Sequence, residues 1–113
     1  MTNVDMREAV SLARLTAVLD GDESGAREVL GLFLKELPRF EEALRGAKSP
    51  QDLAKALHKF RGSLLSLGLA TAAEPLSAYE TASTMALVLD TQVVEAACAL
   101  VPMLTRQTEA ELK

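Results

Sequence analysis

The sequence predicts an all-α protein: an antiparallel up-and-down four-helix bundle with an additional short N-terminal helix. Three observations predict it. Leu and Ala dominate an apolar fraction of 49%, while aromatic residues make up only 4%, a balance that favours helices over strands. Apolar residues recur at steps of three and four along most of the chain, the signature of one buried face per helix. The helix start and stop signals lie only a few residues apart, and connections that short force neighbouring helices to run antiparallel. At 113 residues the chain suits one domain, spanning 1–113, with a single core.

The first helix is expected from about Val4 to Leu19, ending at the turn signal Asp20-Gly21-Asp22. The second opens near Ser24 and aligns Ala26, Val29, Leu30, Phe33, Leu37, Phe40 and Leu44 in one stripe. Pro38 interrupts the backbone ladder but not the stripe, so a kink within one helix is expected there. Gly46 closes the segment. Ser49-Pro50-Gln51-Asp52 is a helix start, with Ser49 as cap, Pro50 in the first turn and Asp52 complementing the dipole.

The third helix should bury Leu53, Leu57, Phe60, Leu64 and Leu67 and stop at Gly68. Thr71-Ala72-Ala73-Glu74 has capping-box spacing and should open the fourth, with Pro75 in its first turn. Ala73, Leu76, Ser83 and Leu87 form its inner stripe, with Tyr79 and Glu80 straddling one turn. Asp90 or Thr91 should cap the fifth helix, which directs Val93, Ala97, Leu100, Val101 and Leu104 inward and bends at Pro102. The helices from Ser24 onward supply four long rods, and the first helix covers or caps them.

Composition removes several classes of function. A formal charge of −4 and a pI near 5.0 oppose nucleic-acid binding, which relies on Lys and Arg neutralising phosphates. Cys98 is the sole cysteine, so no intrachain disulfide forms, and its Ala-rich setting reads as core. No apolar run approaches the length that spans a bilayer, and Met1–Asp5 lacks the regions of a signal peptide. A soluble, cytoplasmic monomer is expected.

The chemistry concentrates at the only histidine, His58, within Leu57-His58-Lys59-Phe60-Arg61-Gly62-Ser63. One residue past buried Leu57, the imidazole should sit at the edge of the apolar stripe. Arg61 and Gly62 follow it by three and four residues and therefore lie beside it on the helix surface. A mid-helix glycine costs about 1 kcal/mol relative to alanine, and no local turn or cap explains Gly62. A flat surface that lets another backbone approach the imidazole would explain it. Leu65 adds an apolar group one turn on, so Gly62, Leu65 and the neighbouring Lys59 form an expected docking face.

Geometry adds Glu80. If the hairpin turns near residue 69, facing positions sum to about 138, which sets His58 level with Glu80, both ~16 Å from the turn. A carboxylate accepting from Nδ1–H fixes the tautomer and leaves the Nε2 lone pair outward as a better nucleophile. Arg61 would then face phosphoryl oxygens. The sequence has no Gly-rich phosphate loop, Asp-rich cluster or second histidine, so no metal site is expected. Catalytic Mg²⁺ would come from a partner.

At these residues the chain resembles the histidine-containing phosphotransfer domains of two-component phosphorelays. Their signature is a histidine, an apolar residue two further on, a basic residue at three, and glycines at four and ten. Here those positions hold His58, Phe60, Arg61, Gly62 and Gly68. The family usually has Lys where Arg61 stands, which keeps the charge in a planar, bulkier group, and Leu64 is larger than the small residues common there. Many members carry Gln at the position of Glu80, but the phosphotransfer domains of chemotaxis kinases carry Glu. Leu30–Pro38 and Asp52–Leu57 resemble the family's second helix and its approach to the histidine. The resemblance implies a phosphorelay intermediate, free-standing or excised from a larger protein. It would exchange a phosphoryl group with an Asp of a response-regulator receiver domain or with a hybrid histidine kinase. The alternative is an adaptor or inhibitor that binds such a partner through the same face without carrying phosphate.

Overall fold

The protein, described here by a computed structural model over residues 9–113, is all-helical among those residues. Six helical segments follow one another: α1 Leu12–Val18, α2 Glu23–Arg45, α3 Pro50–Ser66, α4 Ala70–Met85, α5 Thr91–Cys98 and α6 Leu100–Leu112. Residues 4–8 of the expected first helix lie outside the described range; residues 9–11 are not helical, and α1 runs from Leu12, where Ser11 Oγ accepts from the Arg14 amide. Val10 and Leu12 give their amides to Gln107 and Glu111 of α6, which ties the non-helical stretch to another helix.

α2 packs against α1, α3, α5 and α6. Ala26, Leu30, Phe33, Leu37 and Leu44 form its buried stripe. It runs through Pro38, which is exposed, as one helix; the missing N–H leaves the Leu34 carbonyl without its ladder partner. The helix opens at Glu23, beside the expected start near Ser24, under Asp22, whose Oδ1 accepts from Gly25 N–H at 2.8 Å. Val29 and Phe40 are only half-buried, because that flank of the stripe borders a groove beside His58.

α3 starts at Pro50 under the Ser49 cap and buries Leu53, Leu57, Phe60 and Leu64. Phe60 stacks on Phe40 with ring centroids 5.0 Å apart, joining α2 to α3 through an aromatic pair. The end of α3 fixes the site. Gly68, at φ +76°, takes the left-handed conformation that a glycine adopts without penalty. Its N–H bonds Leu65 C=O, and the Leu69 N–H reaches back to Leu64 C=O. This bond pair is the Schellman motif, whose apolar contact here joins two buried leucines, Leu64 and Leu69. Leu67, expected in the core, is half-buried at the turn.

Because Leu69 is anchored in this way, α4 opens immediately at Ala70 with no side-chain cap, and the expected capping box at Thr71 does not set its start. Pro75 consequently lies past the first turn, inside the helix. α3 and α4 make the most extensive contact in the protein. α4 ends at Met85, so Leu87, expected inward, lies beyond it and is 97% exposed. Asp90 caps α5, with Oδ1 accepting from Gln92 and Val93. Val94 takes the buried position expected of Val93. The helix breaks at Ala99, ahead of Pro102, since proline removes the N–H that would continue the ladder back to Cys98. Arg45 links α2 to α5 through Glu95 at 2.6 Å and pairs with Glu41 of its own helix at 2.9 Å. No helix among the described residues is long and apolar enough to cross a membrane.

Candidate functional site

His58 and Glu80 face each other across the α3–α4 hairpin. Leu64–Leu69 pins the turn, and both helices count back from it by equal numbers of residues. His58 Nδ1 lies 3.0 Å from Glu80 Oε2. Arg61 Nε donates to the other oxygen, Oε1, also at 3.0 Å. One carboxylate thus bridges an imidazole and a guanidinium that stand one turn apart on the neighbouring helix. Glu80 and Arg61 are partly sheltered, at 23% and 27% side-chain exposure, while the His58 side chain is 66% exposed. The carboxylate and the guanidinium sit against the protein, and the imidazole stands out from it.

Two contacts compete for Nδ1. Arg61 Nη2 is 3.3 Å from it, and a guanidinium only donates, whereas an ionised carboxylate only accepts. The carboxylate contact is shorter, and without a proton between them Nδ1 and Oε2 would be two acceptors in contact. Arg61 already has its Nε bond to Glu80, and Nη2 can donate to water. The arrangement therefore holds the proton on Nδ1 and leaves the Nε2 lone pair at the exposed edge of the ring.

Gly62 has open space where a Cβ would go: no side chain or distant backbone lies within 4 Å of that position. Internal packing gives no reason for a glycine there. A groove of about 590 Å³ runs beside it between α2 and α3. Val29, Leu32, Phe33 and Phe40, with the acidic Glu36, form its α2 wall, and His58, Lys59 and Ser63 lie on the α3 side. Leu32 is 59% exposed, an apolar side chain off the buried stripe, and that departure from periodicity is the sequence signal that could have marked it. Leu65, 47% exposed, lines a neighbouring depression with Leu15 and Val18 of α1, which meets the first groove at Ser66 and Leu67.

On the α4 side of the imidazole lies a second recess, of about 340 Å³, lined by Ala54, Lys55, His58, Lys59 and Glu80. Lys59 borders both depressions. Lys55 and Lys59 are exposed and make no ion pair with a described residue. Lys55 was not among the expected site residues, though its place three residues before His58 puts it on the same face.

Cys98 is buried, and burial pushes its thiol up, away from the reactive thiolate. Among the described residues no three His, Cys, Asp or Glu side chains come together as a metal site would require. Comparison with protein-family models, curated proteins and solved structures gives no match to this chain.

Proposed function

We propose that this protein is a phosphorelay intermediate that accepts a phosphoryl group on His58 and passes it to or from an Asp of a response-regulator receiver domain. The observation that carries the reading is the exposed imidazole whose Nδ1 is held by Glu80, leaving Nε2 as a free nucleophile. In the fold proposed with it, α2, α3, α4 and the broken α5–α6 rod are an antiparallel up-and-down four-helix bundle, with α1 as an additional N-terminal cover. The resemblance around His58, Arg61, Gly62 and Gly68 supports this placement, as does the α3–α4 hairpin.

In the forward step the Nε2 lone pair attacks the phosphorus of an aspartyl phosphate. The N–P bond forms as the P–O bond to the aspartate breaks, and the carboxylate leaves with that electron pair. Positive charge then develops on the ring, and Glu80 stabilises it through Nδ1–H, as an oriented carboxylate does in other histidine nucleophile sites. The reverse step returns the phosphoryl group to an Asp by the same path. The receiver, or a hybrid kinase, would contribute the Asp and the Mg²⁺ that neutralises phosphoryl charge. His58 is then a carrier in a cytoplasmic relay, working as a monomer. Gly62, Leu65 and Lys59 belong to the proposed docking face, and the apolar groove on the α2 side extends it. Arg61 keeps a cation one turn from the imidazole while bound to Glu80.

The test is incubation with a phosphorylated receiver and Mg²⁺. Acid-labile, alkali-stable phosphate should appear on the wild type and not on His58→Gln. A wild type that never takes phosphorus, with a His58→Gln variant that still binds and regulates the receiver, would replace the carrier with an adaptor.

A further inference from the structure

Phosphorylation of His58 would place an anion at Nε2, and the structure raises the question of which cation meets it. Arg61 is the residue expected from sequence, yet its Nε is committed to Glu80 and its Nη2 stands 3.3 Å from Nδ1. Those contacts put the guanidinium on the Nδ1 side of the ring, whereas the phosphoryl group would grow from the other nitrogen. To follow it, Arg61 would have to release Glu80, and with Glu80 the constraint that directs Nε2 outward.

Two other cations need no such exchange. Lys55 and Lys59 are one turn apart on α3, three residues before and one residue after His58, and line the same recess as the imidazole. Both are exposed, and neither has an acidic partner among the described residues. Their four-carbon stems let each ammonium follow a small anion without disturbing the helix. Open space at Gly62 leaves the approach from the neighbouring turn clear.

We propose that Lys55 and Lys59 bind the oxygens of the phosphoryl group on His58, and that Arg61 is a positioning residue acting through Glu80. This rests on the carrier reading above and assigns the charge chemistry of that same site. Arg61 sets which nitrogen reacts, and the lysines set how readily that nitrogen accepts and keeps a dianion.

Phosphoramidate, a small donor that needs no docking face, separates these roles from partner binding. Lys55→Gln and Lys59→Gln should each slow labelling of His58 by roughly two- to fivefold at low salt, the range of an exposed ion pair, with the difference shrinking as salt rises. Their imidazole ¹⁵N spectra should keep the Nδ1–H tautomer. Arg61→Gln should instead change the tautomer population, and Arg61→Lys should restore it only partly, because one ammonium cannot reproduce the geometry of the guanidinium Nε. In a parallel titration, inorganic phosphate should shift the side-chain resonances of Lys55 and Lys59. Wild-type labelling in the double lysine variant, or phosphate shifts at Arg61 with silent lysines, would overturn the proposal. If the wild type itself takes no phosphorus, the carrier reading fails, and the phosphate titration still decides whether the lysines form an anion site.

Discussion

Gly62→Ala should make the protein more stable and a worse phosphoryl carrier at the same time. A Cβ at this position meets nothing within 4 Å, so the substitution brings no steric penalty. It gains the helix propensity that glycine forfeits, about 1 kcal/mol in an exposed helix interior. For 113 residues the unfolding entropy near the midpoint is on the order of 0.24 kcal/mol/K, so the melting temperature should rise by about 4 °C. Transfer should move the other way. If a receiver backbone lies against this flat spot, one added methyl overpacks the contact, and a cost of about 1–3 kcal/mol slows transfer by roughly five- to 150-fold. Gly31→Ala is the matched control. Gly31 is also mid-helix with open space around its would-be Cβ, and it does not line the groove beside His58. It should gain similar stability and leave transfer unchanged. Calorimetry and a timed transfer assay on the three proteins decide the matter. A stabilised Gly62→Ala with wild-type transfer would refute the idea that the glycine exists for a partner. A destabilised one would refute the packing account of α3.

Three further outcomes follow from the fold. Phe60→Ala removes a fully buried ring stacked on Phe40 and should cost about 3–5 kcal/mol in denaturant unfolding; a loss below 1 kcal/mol would contradict the described core. Gly68→Ala forces a Cβ onto a residue at φ +76° and should cost about 1–2 kcal/mol despite the open space around it; a neutral effect in the same assay would mean that the left-handed turn is not retained. Cys98 gives the protein one pH-dependent contribution, since burial holds the folded thiol above its ordinary pKa. As pH rises through the ordinary thiol range the unfolded chain ionises first, so the contribution is intact below that range and is lost as pH climbs through the folded value. Wild type should therefore lose more stability between pH 7 and pH 10 than Cys98→Ala, and parallel curves of denaturant midpoint against pH would exclude it.

Much of the fold was legible because the informative residues act locally or through a single period. The stripe from Ala26 to Leu44, the Ser49 cap and the α3 core follow from helical spacing and capping chemistry alone. What sequence reading misplaced depends on contacts between helices. Thr71 looked like a cap because Ser/Thr followed by Glu at three is a sound local signal, yet α4 starts where Leu69 is pinned onto Leu64. Residues 9–11, expected within the first helix, are not helical, and Gln107 and Glu111, about a hundred residues away, take the amides of Val10 and Leu12. Leu87 fits the periodicity of α4 but stands beyond its last turn, so its apolar character says nothing about burial. In the first two cases a hydrogen bond or anchor outside the helix's own ladder outweighed a propensity worth about 1 kcal/mol or less.

The site divides along the same line. Glu80 could be found from sequence because a rigid hairpin converts residue counting into distance, and the 3.0 Å contact with His58 agrees with that counting. The orientation of Arg61 could not, because a long side chain three residues from His58 can reach the outer edge of the ring or the facing carboxylate, and spacing permits both. Burial decides between them. Glu80 is three-quarters sheltered, and a partly desolvated carboxylate holds a guanidinium more strongly than water does. Arg61, the cation that the sequence assigned to the phosphoryl group, is for that reason held in place by Glu80. Lys55 and Lys59, both exposed, keep the mobility that a transient anion would require. A carrier must bind its phosphoryl group firmly enough to accept it and loosely enough to give it up. Two exposed ammonium groups, each worth at most about 1 kcal/mol, suit that demand better than one sheltered guanidinium would.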